Sequence, residues 1–339
     1  MATSAKLGGF KILKDINCFS LVHTTKDKLF PAKFFRSVAW EKINLPYMTC
    51  IPDGSTWRLS FAVDAADAAK TLNLIEHTTG SVITQKFKSA ILSIFPHKGD
   101  PCISALFLEA LGKHGLEPEA LTSSPSAISA VLKRELLPIA SKSLFGPFSF
   151  SAYRTPHDWK LAQKGREILF KEVVATYQES RPKVYGLRYR EKQELLSIKF
   201  SQGNIGQFGF VLKEFGESGS YLSFLGTCPR REKGSGTIIF CLSRTLDRSH
   251  KAVIRQIAPQ MHVENLFPVA TFSMTGPHFG DRYGIVSELL TSFERAGVDL
   301  LALNCSIASI KGIVPSEQIQ IAINTIQGCF EVPALMKKG

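Results

Sequence analysis

Two short stretches place a histidine, a glycine and an aspartate at matching positions: Pro96-His97-Lys98-Gly99-Asp100 and Pro277-His278-Phe279-Gly280-Asp281. Each closes an apolar run and opens an amphipathic helical pattern. A glycine-containing turn that runs into a helix N-terminus offers unpaired backbone N–H groups and the positive end of the helix dipole to an anion such as a carboxylate. An aspartate beside it can meet an ammonium group. Gly280 and Gly284 in one loop, Gly99 in the other, and Gly203 with Asn204 in Ser201-Gln202-Gly203-Asn204-Ile205-Gly206 allow close backbone approach.

Simpler roles stand beside these. Asp100 directly precedes Pro101, which is the pattern of a helix N-cap followed by proline at the first helical position, and capping is favoured over ligand contact there. For Asp281 both readings stand. His97 and His278 have no clustered second histidine or carboxylate, so they read as loop-surface histidines, and no metal site and no cofactor are expected.

The elements that must carry these loops repeat. From the second pair of loops onward, Leu121 aligns with Leu303 at a separation of 182 residues, against 181 for the loops themselves, which marks a duplicated domain. Periodicity predicts strands at 194–201, 221–228 and 236–242 with helices at 205–215 and 247–258. This is the split βαβ, or ferredoxin-like, order. The same order reads from 18–24, 31–43, 47–51, 57–63 and 65–75, from 89–95, 101–114, 120–123, 127–132 and 134–144, and from 270–275, 284–296, 299–304, 309–314 and 316–329. The expected fold is therefore α+β, four βαββαβ units in two tandem pairs: 1–85, 86–153, 187–262 and 263–335, with 154–186 as a partly helical connector.

Composition narrows the setting. With 339 residues and 44% apolar content, each unit can hold a core, and no window reaches the length of a membrane helix. Seven scattered cysteines without CxxC spacing favour a reducing cytoplasm. The net charge of +12 invites a nucleic-acid reading, but the basic residues are spread rather than clustered and no RRM-type aromatic signature is present. Neither a phosphate-binding P-loop nor GxSxG nor HExxH occurs.

The segment 276–333 resembles the ACT domains, most closely the C-terminal regulatory ACT domain of aspartokinases. The points of likeness are the loop from Gly276 through His278, Gly280, Asp281, Gly284 and Ile285, then Gly297-Val298-Asp299, then Asn304-Cys305-Ser306-Ile307-Ala308-Ser309-Ile310, and Ile313-Val314-Pro315. Residues 86–153 share the loop, while the other two units match by element order. The resemblance implies effector binding at unit interfaces, with Asn304 and Ser306 facing a small amino acid. It also implies homodimers formed through ACT units and leaves a separate biosynthetic enzyme open as a partner. Since four units and a connector use the whole length, no kinase domain is expected. The chain then reads as a non-catalytic amino-acid sensor of amino-acid metabolism. A regulatory subunit for another catalytic chain is the first alternative and a nucleic-acid-binding protein the second.

Overall fold

The computed structural model describes residues 4–24, 27–53, 56–78, 81–124, 126–151, 153–163, 181–201, 205–229, 235–243, 250–259, 261–276, 279, 283–306, 309–333 and 335–337. The order of elements is β1 (Ala5–Leu7), β2 (Gly9–Thr24), α1 (Phe30–Trp40), β3 (Tyr47–Asp53), β4 (Thr56–Asp64), α2 (Ala68–Glu76), β5 (Ser81–Phe95) and α3 (Pro101–Gly112). Next come β6 (Ala120–Ser123), β7 (Ile128–Lys133), α4 (Leu137–Ser143), β8 (Phe148–Phe150), α5 (Pro156–Gln163), β9 (Gly186–Ser201), α6 (Ile205–Glu217), β10 (Leu222–Pro229) and β11 (Ser235–Ser243). The described chain ends with α7 (His250–Ile257), β12 (His262–Thr275), α8 (Ile285–Ala296), β13 (Ala302–Ser306), β14 (Ser309–Pro315), α9 (Ile319–Cys329) and β15 (Leu335–Lys337). Most of the connector, 164–180, lies outside the described residues.

The protein is mixed α+β around one large, almost wholly antiparallel sheet. Its order is β11-β10-β6-β7-β5-β2-β4-β3-β13-β14-β12-β9-β15, and a further β11–β9 pairing brings the sheet back on itself. Four strands do double duty. The first half of β2 pairs with the end of β5 (Gly9 with Phe95 to Leu13 with Ile91), and its second half pairs with the start of β5 (Ile16 with Ser89 to His23 with Ser81). β9 and β12 exchange halves likewise, Gly186 to Arg190 meeting Thr275 to Thr271, and Leu195 to Lys199 meeting Leu266 to His262. The register slips at the midpoint of each long pair, and there Asp15 and Lys192 sit at φ 57° and 55°. A bulge with one residue in the left-handed region bends a strand and lets its two halves serve different neighbours.

The sheet folds into two facing layers with helices outside. One outer core, containing Phe19, Phe61, Phe272, Phe293 and Ile323, packs α1, α2, α8 and α9 on their strands; the other, containing Phe107, Leu121, Phe208, Phe240 and Ile254, does the same for α3, α4, α6 and α7. Between the layers the contacts are partly polar. β10 meets β6 only at Gly226 and Thr122, so three carbonyls along that edge of β10 need other partners. Thr49 Oγ1 donates to Thr227 O (3.1 Å), Asn304 Nδ2 to Leu225 O (2.9 Å) and Lys311 Nζ to Ser223 O (2.6 Å). Side chains of one layer thus cap the open edge of the other. Among the described residues, no helix is long and apolar enough to cross a membrane.

Candidate functional site

The two halves of the molecule meet twice in the same way, through a helix pair and a strand pair. α1 lies beside α8 while β3 pairs with β13, and α3 lies beside α6 while β6 pairs with β10. At such a junction the loop entering a helix faces the stretch that leads into a strand of the neighbour.

The loop that enters α3 holds the first of the sequence motifs. His97 is not on the surface, as the sequence suggested, but wholly buried. In the tautomer protonated at Nδ1 it donates to Ser124 O (3.2 Å), and Nε2 accepts from the Ser104 hydroxyl at 2.7 Å. Burial, aided by the charge of Lys311, pushes its pKa down to about 3, so the ring is neutral and acts as a structural tie. A short alternation of apolar residues with polar ones around a loop does not reveal such burial, which depends on Ser104 one turn into the helix. Gly99 has φ +71°, and a Cβ there would strike the Tyr221 ring. Tyr221 in turn carries the Arg190 guanidinium over its face, 3.9 Å from the ring centroid. Asp100 caps α3, accepting from Cys102 N at 2.8 Å. The ring of Tyr221 fills the space beside the loop.

The second motif is only partly described: His278, Gly280 and Asp281 fall outside the described residues, as do Gly203 and Asn204. Gly284, at φ 87°, is the residue before α8, and its carbonyl accepts from Glu288 N at 2.9 Å. Ile285 is buried in the helix-side core together with Phe279. The space between Phe279, Phe35, Leu45 and Cys305 is about 10 Å³, room for no more than a single water. Asn304 and Ser306 do not share the face of this loop. Successive strand residues alternate, so while Cys305 enters the helix-side core, its two neighbours point between the layers. Ser306 exchanges a hydrogen bond with Ser309 there at 3.0 Å.

Gly284 and Ile285 also line an open groove of about 740 Å³ between α8 and α9. Another open place lies at the junction of α1 and α8, on the side where the loop of residues 27–29 meets residues 297–301. A groove of about 730 Å³ is walled by Leu29, Trp57, Leu290, Phe293, Val298 and Leu301, with Lys28 and Asp299 at its rim. Lys28 Nζ is 2.9 Å from Asp299 Oδ1. Gln318 clamps the aspartate from behind, its Nε2 donating to Oδ2 (3.1 Å) and its Oε1 accepting from Asp299 N (2.7 Å). The Lys28 hydrogen bond first, then that of Gln318, holds the Asp299 carboxyl below its ordinary range. The cation and the anion are exposed (80% and 48%), so the pair is held weakly and can exchange partners. Asp299 belongs to a motif quoted from sequence, but Lys28 sits in a loop without glycine, and only the fold brings them together.

No protein-family model matches the chain, and no curated protein matches it in sequence. Solved structures do resemble it. An aspartate kinase from Synechocystis aligns over 96% of this chain with a TM-score of 0.79 at 15% identity. The fold is that of part of an aspartate kinase chain. This protein spans 56% of the length of that chain. The ligand-free regulatory subunit of aspartate kinase from Thermus thermophilus covers 42% of this chain at 20% identity (TM-score 0.39), and aspartokinase III from E. coli covers 44% at 15% (TM-score 0.33).

These matches correct the sequence reading. Likeness to regulatory ACT domains without the kinase gives way to likeness with an aspartate kinase, which aligns over 96% of this chain. The readings as a non-catalytic sensor, as a subunit serving a separate catalytic chain, and as a nucleic-acid binder fall with it. So does the statement that this is not an enzyme. Those readings rested on missing signatures and on sharing out the length among four units. Catalytic groups assembled from distant residues leave no contiguous signature, so a missing motif carries no weight against catalysis.

Proposed function

We propose that this chain works as part of an aspartate-kinase-type enzyme and that the groove at Lys28 and Asp299 binds a small amino acid that adjusts its activity. The observation that carries the first half is the likeness to an aspartate kinase along 96% of the chain. For the second half the support is chemical. A free amino acid carries a carboxylate and an ammonium a few ångströms apart, matching Lys28 and Asp299, and its side chain would lie along Leu29, Phe293 and Leu301. Binding would replace one exposed ion pair with two in a partly desolvated groove, where charge-assisted hydrogen bonds are stronger.

In the same reading the strand pairing is four βαββαβ units, each closed by half of a long strand that begins or ends a neighbour. The first halves of β2 and β9 close the second and fourth units, the first halves of β5 and β12 the first and third. Homodimers and a cytoplasmic setting belong to the proposal as well; all seven cysteines are free thiols, as a reducing compartment would keep them.

The test is ATP-dependent phosphorylation of aspartate by the natural full-length protein, with and without each of the twenty amino acids. Aspartate turnover that one amino acid shifts, with the half-effect concentration rising roughly 10- to 100-fold in Asp299→Ala, is the expected result. No turnover of aspartate would sink the enzyme half, and an unaltered response in Asp299→Ala would sink the site.

A further inference from the structure

Lys311 is an expensive residue where it stands. Its side chain lies between the two sheet layers with 2% of its surface exposed, and its ammonium donates to Ser223 O at 2.6 Å. Among the described residues no carboxylate lies within ion-pair distance of it. Taking an ammonium out of water without a counter-charge costs several kcal/mol. Burial drives its pKa down to about 7.

The hydrogen bond to Ser223 does not account for that cost. Two and four residues further along β10, Leu225 O and Thr227 O receive equivalent bonds from the neutral side chains of Asn304 and Thr49. A neutral donor would serve Ser223 O as well. The ammonium has three N–H donors, which leaves two beyond the one given to Ser223. The small cavity of about 40 Å³ next to Lys311 is lined by Arg188, Arg190, Tyr221, Ser223 and Ser273. Three cationic side chains and two hydroxyl-bearing serines therefore share one small, half-open space, with room for one compact group of a few atoms. The Arg190 guanidinium is ordered there by stacking on Tyr221, so its position is set before anything binds.

We propose that Lys311, Arg188 and Arg190 form a binding site for a small oxyanion, lodged between the sheet layers and separate from the Lys28–Asp299 groove. The oxyanion supplies the counter-charge that Lys311 lacks. It is either inorganic phosphate or the carboxylate of a small organic acid, since both present acceptors at the spacing of an arginine fork. The site spans β9, β14 and the start of β10, so its occupant ties together three strands from both layers.

Thermal melting of the intact protein at constant ionic strength, with sodium phosphate, sodium acetate or sodium chloride as titrant, tests this. A saturable rise in Tm of a few degrees with phosphate or with acetate is expected, absent with chloride, and which of the two acts identifies the source. Lys311→Met, which removes the buried charge and fills similar space, should fold and lose the response; Arg188→Gln, at the half-buried rim, should weaken it about tenfold in the concentration needed. No saturable rise in the wild type with either oxyanion overturns the site, as does an equal effect of chloride or an undiminished response in both variants.

Discussion

The two junctions between the halves of the molecule use the same helix pair and strand pair, yet one is open and the other is shut. Where α1 meets α8, Lys28 and Asp299 stand at the mouth of a groove of about 730 Å³. Where α3 meets α6, Tyr221 closes on Gly99 and the neighbouring histidine is sealed in. Equivalent loops entering equivalent helices, one with the glycine motif and one without glycine, thus end in opposite roles. What decides between them is the residue that the partner presents: an aromatic ring at Tyr221, an aspartate at Asp299. The glycine motif that marks the loop in sequence is therefore a sign of close approach, and close approach serves a packed ring as readily as a ligand.

The comparison can be broken most directly at its glycines. Gly99→Ala forces an L-residue into φ +71° and pushes its methyl into Tyr221, so it should cost about 3 kcal/mol in denaturant unfolding. If that variant loses less than about 1 kcal/mol, the ring does not seal the loop. Acid is the second lever. His97 is neutral when folded, with its pKa at about 3 against about 6.5 when unfolded, so the unfolded chain takes up the proton first as pH falls. The stability present above pH 6.5 should decline by about 3 kcal/mol by pH 4, and His97→Gln should flatten that slope.

At the open junction the effects should move from stability to binding. Asp299→Ala is expected to weaken the amino acid by about 1.5 to 3 kcal/mol in titration calorimetry while altering unfolding of the free protein by no more than about 0.5 kcal/mol, because the Lys28–Asp299 pair is exposed. Gly297→Ala sets the scale for a left-handed glycine without a neighbour. It has φ +67° and nothing within 4 Å of the added carbon, so roughly 1 kcal/mol should be lost. Equal costs for Gly99→Ala and Gly297→Ala would erase the distinction between the junctions.

The outlines of the helices were legible, because each has an apolar stripe at helical spacing: 31–43, 205–215 and 284–296 were expected against Phe30–Trp40, Ile205–Glu217 and Ile285–Ala296. The first halves of β2, β5, β9 and β12 were not. Lys11, Lys14 and Asp15, or Arg188, Arg190 and Lys192, fall just before the strands expected from the sequence, which begin at 18 and 194. In the structure these halves run along one side of a unit, where charge is tolerated on a strand. At the site, the loops were visible but their surroundings were not. Tyr221 lies 122 residues beyond Gly99 in sequence, and Asp299 lies 271 beyond Lys28. Nothing in the sequence marks Lys311 as buried, because a lysine on a strand seldom lies anywhere but its solvent side.

The strand pairs that join the two halves, β6 with β10 and β3 with β13, have a consequence for how this protein is made. Until residues 222–229 and 302–306 leave the ribosome, β6 and β3 of the first half wait with unanswered backbone groups on adjoining edges. The nascent first half thus carries two sticky margins through the synthesis of more than seventy further residues, several seconds at ordinary rates of translation. A chaperone that shields exposed strand edges would find its substrate there, and a chain broken off between the halves would tend to clump rather than persist.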